Sequence, residues 1–314
     1  MEGDVPEARV PEARVSVEWA DRVPIMAPSR LGELWRSLHR GVGALLGAGL
    51  LLLMVLSAFL APVLAPHDPL EAEVTKRLRP PVWTAKGTSE YLLGTDQLGR
   101  DVLSRTIYGS RVSLIVGITA VVISGALGVL LGLIAAIQGG RLDALIMRVA
   151  DVQLAFPFIL LAIAVVAVVG GGLLNVILIL GVTGWVSYGR VVRSQALSVK
   201  EKEYVEAARA LGTRSLVLVF RHILPNVMTP VIVLATFNVA SYMVAEASLT
   251  FLGLGVQPTI PSWGIMLADG REYMRAGWWM AIFPGLALVL TVLSINLLGD
   301  WLREYLDPRL RHTE

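Results

Sequence analysis

Glu206 and Arg209 stand three residues apart in Tyr204-Val205-Glu206-Ala207-Ala208-Arg209-Ala210-Leu211-Gly212, a charged stretch between long apolar runs, with Leu224-Pro225 downstream. On a helix this spacing projects both charges from one side, while Val205, Ala208, Ala210 and Leu211 form the apolar side. Gly212 suits the C′ position, where positive φ ends a helix, and Thr213 or Ser215 can cap the next helix. That second short helix, from Leu216 to Ile223, is expected to close before Pro225, whose ring disfavours helix at the preceding residue. The chemistry on offer is charge pairing and docking: a helical elbow that presents a surface to a partner.

The other conspicuous polar groups lie in one apolar run. Glu246 costs a few kcal/mol in a membrane span unless it faces protein or water. It reads either as a pathway or gate residue, or as a helix-end carboxylate bonded to the neighbouring loop. Asn238, eight residues earlier, is expected near the same helix face, as helix–helix glue or a pathway ligand. Bond-making chemistry has little support. The four lysines, Lys76, Lys86, Lys200 and Lys202, sit in no Gly-x4-Gly-Lys-Ser/Thr phosphate loop. His39, His67, His222 and His312 all fall outside the apolar runs, which argues against an intramembrane Ser/His protease or metal site. No catalytic residue and no metal ligand set is assigned.

These residues must be positioned by a membrane bundle. Hydrophobic residues are 55% of 314 and mean hydropathy is +0.66, too apolar for a soluble protein. A net charge of +2 suggests no nucleic-acid partner, and the absence of cysteine removes disulfides and thiolate metal sites. Six runs approach the roughly 20 residues that cross a bilayer: Val42–Ala65, Val112–Ile137, Val149–Gly170, Leu173–Tyr188, Val231–Leu254 and Trp279–Gly299. The third and fourth are expected to form a tight hairpin across Gly170-Gly171-Gly172. Pro157 and Pro284 are candidate kinks, and Gly43-xxx-Gly47 and Gly128-xxx-Gly132 allow close helix packing.

With the N-terminus inside, inner segments carry 18 Lys/Arg and outer segments 9, which places the elbow in the cytoplasm, where ATP is available. The polar, proline-containing tail over 1–41 is expected to be disordered. Between spans one and two, Gly94-Thr95-Asp96 is expected to cap a helix whose apolar side, Val102, Leu103 and Ile107, lies along the interface. Trp263, Trp278 and Trp279 suit an outer aromatic belt and Trp301 an inner one.

The pattern Glu206-Ala207-Ala208, three residues, Gly212, then Leu224-Pro225, resembles the coupling loop of permease subunits of ABC importers; His222 stands where that loop often carries isoleucine. Leu93-Gly94-Thr95-Asp96 with Gly99-Arg100-Asp101 resembles the dipeptide/oligopeptide/nickel branch, in the second of its two permeases. Ser248 to Gly255, Pro261-Ser262-Trp263-Gly264 and Gly299-Asp300-Trp301-Leu302-Arg303, with Leu306-Asp307-Pro308-Arg309 after it, are similar to the same subunits.

The resemblance implies an all-α, polytopic protein with six transmembrane helices in the type I ABC importer permease fold. Its expected parts are a tail over 1–41, a helix over 42–65, an extracytoplasmic segment over 66–110, a core over 111–300 with coupling loop 198–225, and a cytosolic tail over 301–314. It further implies a bacterial or archaeal cytoplasmic membrane location with both termini cytosolic. The implied partners are a homologous second permease, two cytosolic ATPase subunits that hold ATP and magnesium, an extracytoplasmic solute-binding protein and membrane lipid. This chain itself would bind no cofactor. The expected cargo is a di- or oligopeptide, with nickel or another small solute as the alternative. An ion-coupled transporter or channel would need no ATPase and leaves the elbow unexplained; a scaffold or intramembrane enzyme has less support still.

Overall fold

The computed structural model describes residues 37–39 and 41–306, so most of the expected N-terminal tail and the Asp307-Pro308-Arg309 motif lie outside them. Among the described residues there is no β-strand, only an isolated bridge between Thr95 and Asp101. The helices are α1 (Val42–Phe59), α2 (Ala61–Leu64), α3 (Val102–Gln138), α4 (Gly140–Leu154), α5 (Phe158–Val169), α6 (Leu173–Thr183) and α7 (Trp185–Lys200). After these come α8 (Glu203–Ala210), α9 (Ser215–Leu218), α10 (Leu224–Phe251), α11 (Trp263–Glu272) and α12 (Trp279–Leu306).

α3 is the spine. At 37 residues and 1.5 Å per residue it is about 55 Å long, well beyond the roughly 30 Å of a hydrocarbon core. It begins at Val102 rather than Val112 because Asp101 caps it, accepting the Ser104 N–H at 2.9 Å. Its first turns are therefore not a separate interfacial helix: Val102 is fully buried under the 66–101 segment. Asp96 caps no helix; it accepts the N–H groups of Leu98 and Arg100 within its own loop.

Other departures from the apolar runs have local causes. The third run is two helices, α4 and α5, bent by 92° at Ala155–Pro157, where the proline ring cannot continue the helix. The fourth continues past a one-residue helix break at Gly184 to Lys200 and is a span of 28 residues. The second elbow helix does not close at Pro225. It runs on through a π-helical turn, Val219–Ile223, into α10, so that Ser215–Phe251 is one span. A π turn changes which carbonyl lies opposite each N–H, which accommodates a residue that has none to donate. Trp263 and Trp279 are buried pins rather than belt residues: Trp263 donates to the Thr106 carbonyl and Trp279 to that of Thr95, both at 2.9 Å.

Close approach sets the packing. A Cβ on Gly128 would meet Tyr188 and the Trp185 carbonyl, and one on Gly132 would meet Val192 and the Gly189 carbonyl, so α3 and α7 touch nearly backbone to backbone. Gly47 does the same for α1 against Leu297 and Ser294 of α12. One apolar cluster joins α3, α5, α6 and α10 on the side of the 66–101 segment, and a second joins α3, α7, α8 and α10 near the elbow. Gly128→Val should destabilise the fold by about 1–3 kcal/mol or more through overpacking, whereas Gly49→Val, at an exposed site with nothing within 4 Å, should not. Thermal unfolding in detergent checks this, and equal midpoints for the two variants would refute the packing role.

Candidate functional site

The elbow is built by local chemistry. Gly212 has φ of +80°, its N–H bonds the Arg209 carbonyl at 2.9 Å, and the Thr213 N–H reaches back to Ala208 at 3.1 Å. These paired bonds close α8 with the left-handed residue where glycine carries no Cβ penalty. Neither Thr213 nor Ser215 caps α9; the cap position is Arg214, without a side-chain bond. Val205 is fully buried beside Leu218, Val219 and Ile223, which fastens α8 to the base of α10. Glu206, Ala207, Arg209 and Pro225 are exposed and Ala208 and Leu224 half-buried. Tyr204 links the two halves: its hydroxyl accepts from Asn226 at 3.4 Å, and its ring lies 6.1 Å from that of His222.

The outward surface of this elbow is not purely charged. Leu211 is 87% exposed, Leu216 71% and Phe220 64%, and the Glu206 and Arg209 charges stand beside them. Apolar residues displayed next to a charge pair are the makings of a protein interface. Sequence reading picked out Glu206 and Arg209 but missed Phe220, which lies in the π turn.

At the opposite end of α3 the glycine-containing 94–101 motif folds into a buried ionic cluster. The Arg100 side chain pairs with Asp96 at 2.6 Å and with Asp269 of α11 at 3.4 Å. Arg105, 1% exposed, lies 3.6 Å from Asp96 and 3.9 Å from Asp269, with no hydrogen bond to its guanidinium nitrogens. Thr95 donates to the Lys76 carbonyl and accepts the Arg79 N–H. Gly94 and Gly99, at φ of +83° and +81°, let this loop turn against Arg79 and Glu73. Asp101 also lies 3.6 Å from His67. The six motif residues thus clamp the 66–101 segment to α3, α11 and α12.

Asn238 and Glu246 part company. Eight residues turn a helix by about 80° net, and the two side chains meet different neighbours. Glu246 is fully buried between α10 and α3, accepting from Thr250 at 2.9 Å and Ser113 at 3.4 Å. Thr250 in turn accepts the Val256 N–H at 3.2 Å, which ties the carboxylate to the loop after α10. Asn238 instead lines an open cavity of about 340 Å³ between α10, the bend at Phe156 and the helix break at Gly184.

Residues 128–312 match the family model of the binding-protein-dependent transport system inner membrane component. The chain belongs to the binding-protein-dependent transport permeases. Residues 29–81 further match the N-terminal transmembrane domain of oligopeptide transport permease C. The chain is 46% identical over 288 residues to a di/tripeptide transport system permease protein DppC of Pseudomonas aeruginosa, covering 92% of this chain and 95% of that one. It is 42% identical over 281 residues to the dipeptide transport system permease protein DppC of Escherichia coli, covering 90% and 94%. Solved inward-facing structures of the MetNI methionine ABC transporter align at a TM-score of 0.53 and 19% identity, over 65% of this chain and 96% of that one. At that identity the likeness shows the type I importer permease fold alone.

In this permease the clamp is the feature most exposed to a single charge loss. Asp96→Ala would leave Arg100 and Arg105 buried side by side, an expected cost of about 3–5 kcal/mol. The unfolding midpoint in detergent should fall by several degrees, and an unchanged midpoint would show that the cluster does not hold the 66–101 segment.

Proposed function

We infer that the permease is one half of the translocation unit of an ATP-driven importer of di- or oligopeptides, with a homologous permease as the other half. The observation that carries the coupling role is the elbow: a rigid, glycine-closed pair of short helices with an apolar and charged outer surface, set at the end of two long spans. In this reading the elbow lies in the cytoplasm and docks on an ATPase subunit. ATP and magnesium stay on two such subunits, and a solute-binding protein delivers cargo at the face that carries the 66–101 segment. Both termini are cytosolic. Closure of the ATPase pair moves α8, and the spans rock between inward- and outward-facing states that differ in their contacts with each partner. The peptide cargo is inferred from the transport named for the DppC relatives.

Two sets of variants test this. Gly212→Val places a branched side chain in a left-handed conformation, a penalty of about 1–2 kcal/mol, and should misdirect the elbow. Glu206→Lys should invert one contact and leave the spans folded. Both should insert normally yet lose most ATP-driven dipeptide uptake. Full uptake by both would remove the coupling role. For orientation, Ser89→Cys and Thr259→Cys should label with an impermeant thiol reagent from outside intact cells, and Ser198→Cys should not. All three positions are exposed and the chain has no cysteine of its own. Outside labelling at Ser198 would invert the orientation.

A further inference from the structure

We propose that the cavity beside Asn238 is this chain's half of a transit site for peptides. It holds them through uncharged polar groups, without regard to the charge of their side chains. The inference rests on the assignment of the chain to a peptide importer.

Three independent features converge on one place. First, both interrupted spans border it: the cavity wall includes Phe156, inside the 92° bend between α4 and α5, and Gly184, the one-residue break at which α6 gives way to α7. Interrupted helical backbone at membrane depth is tolerated where it is covered by protein or borders water, and such breaks mark sites of passage. Second, α10 turns a polar stripe toward it. Asn238, Ser241 and Ser248 fall within about 80° of one another around the helix, and all three line the cavity. The two serine hydroxyls donate to their own helix, to Phe237 at 3.1 Å and Val244 at 2.7 Å, so each oxygen keeps acceptor capacity facing outward. Third, none of the lining residues is Asp, Glu, Lys, Arg or His.

At about 340 Å³ the cavity is within the range of small-ligand pockets. The missing charge is informative. In a poorly screened site a fixed carboxylate or guanidinium would hold one class of side chain and repel the opposite one. Neutral acceptors instead serve the groups every peptide shares, its amide N–H groups and its terminal ammonium. Glu246, sealed between α10 and α3, is kept out of the site.

The test adds a charge and reads selectivity. Ser241 is exposed, so Ser241→Asp should permit folding. In proteoliposomes holding the full complex with one unchanged binding protein, it should raise the ratio of dilysine to diglutamate uptake rates by about fivefold or more. Ser89→Asp, the same charge outside the cavity, should leave the ratio as it was. An unchanged ratio in an active Ser241→Asp complex would overturn the proposal. Should that variant not assemble, Ser241→Cys and Ser248→Cys should react with a charged methanethiosulfonate, lose dialanine uptake on reaction, and react more slowly during dialanine turnover. No reaction at either position would overturn it. Absence of dialanine uptake by the unaltered complex would instead fail the peptide reading itself, and this inference with it.

Discussion

The near-contact of two backbones, α3 and α7, at Gly128, Gly132 and Gly189 is the constraint from which the other features hang. Helices in lipid gain little from apolar association, because lipid tails are equally apolar, so they rely on close van der Waals packing. Three small residues provide it here. Further contacts extend the seam toward the elbow. Lys200 donates to the Ala136 carbonyl at 2.8 Å, and Arg193 pairs with Asp143 of α4 at 2.5 Å. α7 ends one short turn before α8, and Val199 and Val205 share an apolar cluster with Leu218 and Val227. A force on the elbow therefore meets a braced unit of α3, α7 and α10 rather than a loose loop.

The same spine organises the opposite end. The first turns of α3 carry Asp101, Ser104 and Arg105, and these hold His67, the 66–101 segment and, through Asp269, α11. One helix thus connects the ionic clamp to the elbow seam over its whole length. Between the two ends, the bend at Ala155–Pro157 and the helix break at Gly184 border the cavity beside α10.

Much of this was readable from the chain alone, for physical reasons that differ by element. The spans were legible because lipid demands long apolar runs, and Gly212 because positive φ is a local glycine property. Span ends were not: Asp101 caps α3 inside a polar segment, where no apolar run announces a start. Pro225 looked like a terminator because a π turn cannot be read from residue types. Trp263 and Trp279 have the composition of belt residues, and only their tertiary acceptors, Thr106 and Thr95, show them to be pins. Glu246 and Asn238 were placed near one face, although their separation rotates them toward different neighbours. The cavity was illegible because its walls come from α4, α5, α6, α7 and α10, and its serines are ordinary residues until those helices meet.

The central claim is that the elbow is the surface this permease offers to the ATPase. The most direct measurement is site-specific photocrosslinking in intact cells that carry the whole importer. A photoreactive residue at Leu211, 87% exposed on the elbow, should form an adduct with the ATPase subunit. One at Trp83, 60% exposed in the 66–101 segment, should not. An adduct between the Leu211 probe and the solute-binding protein, or an ATPase adduct from Trp83 alone, would contradict the account.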